Sequence, residues 1–408
     1  MLPANWKATE LGEIAKFSSG GTPSKENAGF WGGVHPWITA KDLKQHYLKK
    51  SIDTLTDAGL ANTKLAPAGA SLILVRGMTL LKDFPVGYVT RPMSFNQDIK
   101  ALIPEKEVDG LFLSFFLASQ KEKMRQLVSI AGHGTGRLDT ESIKSFPVNL
   151  PSLGEQKKIA KILSTWDQAI STTERLLANS QQQKKALMQQ LLAGKTRFSK
   201  FEGEWRHSSL SSIVEVIISP VDKKSECGEV AVNLCNYTDV YKNNYITSRI
   251  KFMNATAKET EIEKYFLKKG DVIITKDSET PGDIAISALV SEELNNVLCG
   301  YHLAILRPNK NLVDSDFLNF LFSLPITRYY FFTLATGATR FGLSIGGIKN
   351  AHFNMPSLEE QKRIAQVLTV ANSEIEILQQ KLACLKQEKK ALMQQLLTGK
   401  RRVKVDES

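Results

Sequence analysis

The feature that most constrains this chain is a long internal repeat. The segment PSLGEQKKIAKILSTWDQAISTTERLLANSQQQKKALMQQLLAGK begins at Pro151, and PSLEEQKRIAQVLTVANSEIEILQQKLACLKQEKKALMQQLLTGK begins at Pro356. They align without a gap at an offset of about 205 residues, and roughly half of the positions are identical. Chance does not produce that match. Duplication does, and so does selection for one structural job done twice. Each segment reads as a long helix. Ser152 with Glu155, and Ser357 with Glu360, form S-x-x-E capping boxes: the serine oxygen accepts a first-turn N–H and the glutamate answers back. Apolar residues follow at three–four spacing. They are Ile159, Leu163, Trp166, Ile170, Leu177, Leu187 and Leu191 in the first copy. In the second they are Ile364, Leu368, Ala371, Ile375, Leu378, Leu382, Leu385, Leu392 and Leu396. That is the pattern of a coiled-coil seam. Gly194 and Gly399 stop the helices, and each would span roughly 60 Å at ~1.5 Å per residue.

The remaining segments correspond more weakly. Trp6, Leu11 and Ile14 match the spacing of Trp205, Leu210 and Ile213, and the strand-like run Ser71–Arg76 matches Asp271–Lys276. The runs from Asp109 and Asp314 both read as amphipathic helices, and Gly134-x-x-Arg137 resembles Gly337-x-x-Arg340. The expected organisation is a mixed α/β (α+β) domain over 1–150, a helix over 151–195, a second such domain over 196–354, a second helix over 355–400 and a tail over 401–408. If a two-fold axis relates the halves, the helices run antiparallel. The globular parts differ much more than the helices do, as expected of a constant spacer carrying two heads that read different things.

The formal net charge is +11 and the pI about 9.3, which suits a polyanionic partner. No apolar run approaches the ~18–20 residues of a spanning helix, and MLPANWKATE has no signal-peptide pattern. A cytoplasmic protein with no membrane partner is expected. The cysteines, Cys227, Cys235, Cys299 and Cys384, form no C-x-x-C pair and read as isolated buried thiols, with no metal site. Gly194-Lys195-Thr196 mimics the end of a nucleotide-binding loop, but Gln189 holds the place of the required glycine and the block follows a helix instead of opening one. The methyltransferase N/D-P-P-Y/F tetrapeptide, the H-E-x-x-H zinc motif and the nucleophile elbow are absent. No catalytic residue is assigned.

Polar loop clusters supply candidate nucleic-acid contacts. In the first domain they are Thr22, Ser24, Lys25, Lys41, Arg76, Asn96, Gln97, Thr135 and Arg137; in the second, Lys223, Lys224, Lys276, Tyr301, His302, Thr339 and Arg340. Amides pair with adenine edges, arginine with guanine, and lysine and hydroxyl groups with phosphate. For any one of them, a solvated loop residue is the plainer reading.

Taken together, the GGTPSK loop with Phe30-Trp31, the NLPSLGEQKKI and NMPSLEEQKRI helix starts, the KALMQQLLAGK and KALMQQLLTGK helix ends and the RFSKFEGEW link resemble the specificity subunits of type I restriction-modification systems. The resemblance implies two target-recognition domains, each reading half of an asymmetric bipartite site in double-stranded DNA. It implies helices that dock two methyltransferase subunits, with two restriction-motor subunits joining them. Adenosylmethionine, ATP and magnesium then belong to those partners and not to this chain. Candidate docking residues are Glu155, Gln156, Ile159, Lys184, Lys185 and Gln189, with Glu360, Gln361, Ile364, Lys389, Lys390 and Gln394 in the second copy. Lys184 and Lys389 interrupt the apolar seam and read equally well as solvated lysines. The competing readings are a coiled-coil scaffold that reads no DNA, and a nuclease or methyltransferase in its own right.

Overall fold

The computed structural model describes residues 5–130, 134–222 and 224–405. It divides into two compact units, one of residues 1–174 with 380–408, the other of residues 175–379. The division cuts both long helices, Leu153–Leu191 and Leu358–Leu396, so each unit holds a head and one half of each helix.

In the first unit a five-stranded sheet runs in the order Ala15–Ser19, Ile99–Pro104, Ser71–Leu74, Val86–Val89, Tyr47–Leu48. In the second unit the order is Val214–Ile218, Leu303–Pro308, Val272–Thr275, Ser287–Val290, Tyr245–Ile246. The topology is the same, with antiparallel ladders and one parallel edge pair. The central strands are apolar on both faces, since Leu72, Ile73 and Leu74, and Val272, Ile273 and Ile274, are all fully buried. One face of the first sheet packs under the helix Gly110–Ser119 and that of the second under Ser315–Phe322. Asp109 and Asp314 cap these helices, accepting from the Phe112 and Phe317 N–H groups at 2.8 and 2.9 Å. The first of these helices lacks the amphipathic pattern the sequence suggests, whereas the second keeps it, with Ser315, Asp316 and Asn319 on one side. Residues 112–117 and 317–322 are buried all round, because each helix lies inside its unit.

Each long helix starts the same way, and here the capping-box expectation is corrected. Ser152 and Ser357 do accept the Glu155 and Glu360 N–H groups, at 3.4 and 3.3 Å. The two glutamate side chains, however, turn inward. Glu155 is held by the Arg402 guanidinium (Nε to Oε1 2.7 Å, Nη2 to Oε2 2.9 Å) and accepts from the Trp6 indole at 3.1 Å. Glu360 is held in the same bidentate fashion by Arg197, at 2.9 and 2.7 Å. Next in each chain, Gln156 accepts from the Asp109 N–H (2.8 Å) and donates to Glu107 and Pro151 carbonyls; Gln361 does the same with Asp314, Leu312 and Pro356. All four side chains are at most 3% exposed. The Glu-Gln pair thus ties the start of a long helix to the cap of the head's buried helix.

Within each unit the helix halves run antiparallel. In the first unit Asp167 meets Lys389 and Glu174 meets Lys386, while Ile159 and Leu163 share a core with Leu396 and Leu397. In the second unit Ser180 donates to Glu374 at 3.0 Å, and Leu191 and Leu192 share a core with Ile364 and Leu368. The middle of the seam is less apolar than its spacing suggests. Thr173 and Ser180 are buried, whereas Leu187 is 36% exposed. Residues 401–405 are more than a tail: besides Arg402, Val403 packs on the first unit's core. The thiols also differ from expectation. Cys227 and Cys384 are exposed, and the buried Cys235 and Cys299 are register partners on adjacent parallel strands.

Candidate nucleic-acid interface

Five of the candidates in the first head converge on one cleft of about 320 Å³, lined among others by Thr22, Lys25, Lys41, Asn96 and Gln97. Glycine chemistry builds it. A Cβ on Gly20 would lie 2.3 Å from the Phe95 and Asn96 carbonyl oxygens, so only glycine lets the GGTPSK loop close on the 95–98 turn. The Gly21 N–H then bonds to the Phe95 carbonyl at 2.9 Å, and the Gly21 carbonyl accepts from the Trp37 indole and the Thr63 hydroxyl. Trp31 packs edge-on against Trp37 and donates to the Ser24 carbonyl at 3.1 Å, leaving the Ser24 side chain exposed. Asp42 clamps the opposite wall by accepting from Thr39 and from the Ile52 N–H. Lys25 and Lys41 are exposed and have no ion-pair partner among the described residues.

The two amides behave differently. Asn96 is buried and turned onto Asp98, accepting from its N–H and donating to its carboxylate. It shapes the turn and offers no free edge to a base. Gln97 is exposed, with its Oε1 taken by the Thr22 hydroxyl and its amide group directed to no partner among the described residues. Beside the cleft, Arg76 and Arg137 stand opposite one another on the short ladder of Arg76–Gly77 with Gly136–Arg137. Both are exposed; Thr135 is half-buried.

The second head repeats the frame with other side chains. The Val75 and Arg76 N–H groups bond to the Asp98 carbonyl, and the Lys276 and Asp277 N–H groups to that of His302. The Leu138 N–H bonds to Val75 and that of Leu343 to Lys276. The structural counterpart of Arg76 is therefore Asp277, one residue on from the register read in the sequence, and Gln97-Asp98 corresponds to Tyr301-His302. The same ladder sets Arg137 against Gly342, so the Gly-x-x-Arg match is not a structural equivalence. Lys276 is paired to Asp277 at 2.6 Å, His302 approaches the same carboxylate at 3.4 Å, and Tyr301 lies on the His302 ring at 3.7 Å. Thr339, Arg340 and Lys224 are exposed; Lys223 lies outside the described residues.

The docking candidates divide sharply. Glu155, Gln156, Ile159, Glu360, Gln361 and Ile364 are buried in contacts within the chain and offer no surface to a partner. Lys389 is held by Asp167 and lies 5.1 Å from the Phe115 ring centre. Lys184 is half-buried, and desolvation lowers its pKa. Lys185, Gln189, Lys390 and Gln394 are exposed. The residues that sequence reading missed are Arg197 and Arg402. Both stand three places after the helix-stopping glycine, so extending the repeat by two residues reveals them. Among the described residues, no cluster of three or more His, Cys, Asp or Glu is arranged to hold a metal ion, and no helix is long and apolar enough to cross a membrane.

Two copies of one head on matched helices define a class of protein, and the sequence comparisons name it. The chain belongs to the family described as the type I restriction modification DNA specificity domain, whose profile matches residues 3–179 and again 202–387. It is 33% identical over 165 residues to the EcoR124I/EcoR124II specificity subunit of Escherichia coli, a match that spans only 40% of either chain. It is 23% identical to the MjaVIII specificity subunit of Methanocaldococcus jannaschii across 99% of this chain and 94% of that one. The fold is shared with the S subunit of a type I system from M. genitalium, at a TM-score of 0.61 and 15% identity over 97% of this chain and 96% of that one. The chain thus sits among specificity subunits, the non-catalytic members of restriction-modification systems.

Proposed function

We propose that this chain reads an asymmetric, bipartite site in double-stranded DNA, one half through each head. In this reading two methyltransferase subunits and two restriction-motor subunits assemble on it in the cytoplasm, and bring adenosylmethionine, ATP and magnesium with them. The observation that carries the reading is the contrast between closely matched helix starts and unlike head surfaces on one backbone frame. A scaffold without a reading role has no reason to keep the frame and change what the frame displays. An adenine methyltransferase must take its base out of the stack, at a cost of a few kcal/mol, and the heads supply the binding that offsets it. The exposed Lys185, Gln189, Lys390 and Gln394 are the docking residues left available by the fold.

The test is to produce the full chain with a type I methyltransferase subunit and to map methylated adenines. A split motif with two unlike halves is expected. Exchange of residues 1–150 for another family member's head is expected to change one half only. Methylation without a split motif, or no sequence-dependent methylation and no DNA binding, refutes the reading.

A further inference from the structure

We infer that Arg76 and Arg137 form a paired DNA grip that belongs to the first head alone. The inference rests on the DNA-reading function proposed above and assigns a role to residues of that surface.

The argument starts from register. In an antiparallel ladder, residues directly opposite one another lie on the same face with Cβ atoms roughly 4.5–5.5 Å apart. Arg76 and Arg137 are such a pair, and Ser129 continues the line on the third strand. Like charges in this position repel. Neither arginine has an ion-pair partner among the described residues, and both are exposed. The pair is nevertheless held by dedicated backbone. Gly77 has φ +143, and a Cβ on the facing Gly136 would come within 3.0 Å of Leu80 and 3.1 Å of the Gly77 carbonyl. Two facing glycines bring the strands together and set the two arginines directly opposite one another. Two adjacent exposed forks fit the clustered acceptors of DNA: phosphate oxygens, or O6 and N7 of guanine.

The second head shows that the fold does not require this. At the same ladder positions it carries Asp277 and Gly342, and Ser278 and Phe341 replace the two glycines. The turn residue beside them changes as well, from Asp98 to His302. The frame is kept, but the two facing cations give way to one carboxylate that Lys276 neutralises.

The test uses the full chain with its methyltransferase subunits, the methylated motif of the wild type, and the variants Arg76→Gln, Arg137→Gln and Arg137→Lys. If the pair reads guanine, the motif relaxes at one or two positions of the first head's half by roughly 5–150-fold, Arg137→Lys loses it too, and the other half is unchanged. If the pair grips phosphate, the motif stays, affinity falls on every duplex, the salt slope drops by about one per arginine removed, and Arg137→Lys retains most binding. Either result supports the inference. Variants with wild-type motif, affinity and salt slope overturn it. Thermal unfolding without DNA gives a second readout. Removing one of two repelling charges should leave the first unit's stability unchanged or raised, and a clear fall assigns the pair a structural role and overturns the inference. A wild-type complex that shows no sequence-dependent binding refutes the underlying function, and this inference with it.

Discussion

The two helix starts and the two heads differ between the copies to different degrees, although both belong to one repeat. At the helix starts, Glu155, Gln156 and Arg402 are matched by Glu360, Gln361 and Arg197 in their arginine and backbone bonds, while the Trp6 bond to Glu155 has no counterpart at Trp205. In the heads the strand order is matched, but the 97–98 turn and the short ladder beside it display Gln, Asp and two Arg in one copy and Tyr, His, Asp and Gly in the other. The difference follows from what each region must satisfy. A buried glutamine with three backbone partners is costly to replace, because each partner left unsatisfied costs about 1–3 kcal/mol. An exposed residue on a turn answers only to what it binds.

The largest expected effect comes from breaking the matched region. Gln361→Leu keeps the volume but strands the Asp314 N–H and two carbonyl groups. We expect a loss of about 2–4 kcal/mol, allowing for partial rehydration of the freed groups. Hydrogen exchange should place the loss in residues 175–379, and Gln156→Leu should place an equal loss in the other unit. Unequal losses would mean that the two starts are alike in geometry but not in energetics.

Matched segments carried most of what was legible in the sequence. Helix spacing, stop glycines and the Glu-Gln signature placed the long helices. The repeat gave two heads because apolar runs such as Leu72–Leu74 leave a pattern when buried on both faces. What the sequence hid was partnership. The Glu155 side chain reads as half of a capping box, since its true partner, Arg402, lies 247 residues away. Asn96 and Gln97 read alike, and only the fold shows one amide turned inward and the other outward. Strand runs could be aligned one residue out of register, as at Arg76, because neighbouring apolar positions look the same when both faces are buried.

A second comparison concerns His46. Its carbonyl accepts from Tyr88 as that of Asn244 accepts from Leu289, so the two residues share a position. His46 is stacked on Phe115, and burial, reinforced by the Lys389 charge, lowers its pKa from 6.5 to about 4. Between those values the unfolded chain binds a proton that the folded head refuses. The contribution is therefore complete above pH 6.5 and is lost as pH falls toward 4, by at most about 3 kcal/mol at ~1.36 kcal/mol per unit. Stability of the first unit should show this slope by denaturant titration, and His46→Asn, the second head's residue, should flatten it. An unchanged slope in His46→Asn would assign the acid sensitivity to other groups.

A smaller effect is expected at Asp167, which holds Lys389 and accepts from the Tyr47 hydroxyl at 3.3 Å. Its counterpart, Asn372, is neutral and donates to Tyr245 at 3.4 Å. Asp167→Asn should cost about 1–3 kcal/mol, since both ends of the pair are mostly buried yet reach solvent. Chemical denaturation of the variant, resolved by unit, would show whether the neutral arrangement works equally well on both sides.

The smallest effect on stability, and the sharpest on the comparison, is expected from Gln97→Ala. The side chain is exposed and its one partner is the Thr22 hydroxyl, itself exposed. Its removal should change unfolding free energy by no more than about 0.5 kcal/mol. If Gln97 presents its amide to a base, the same substitution should relax the first head's half of the methylated motif at one position, by about 1–3 kcal/mol of discrimination. The second half should be untouched, because Tyr301 holds the equivalent place there. A variant that loses stability but not selectivity would move Gln97 into the same class as Asn96, a residue of the turn, and would shift the reading surface toward Lys41 and the arginine pair.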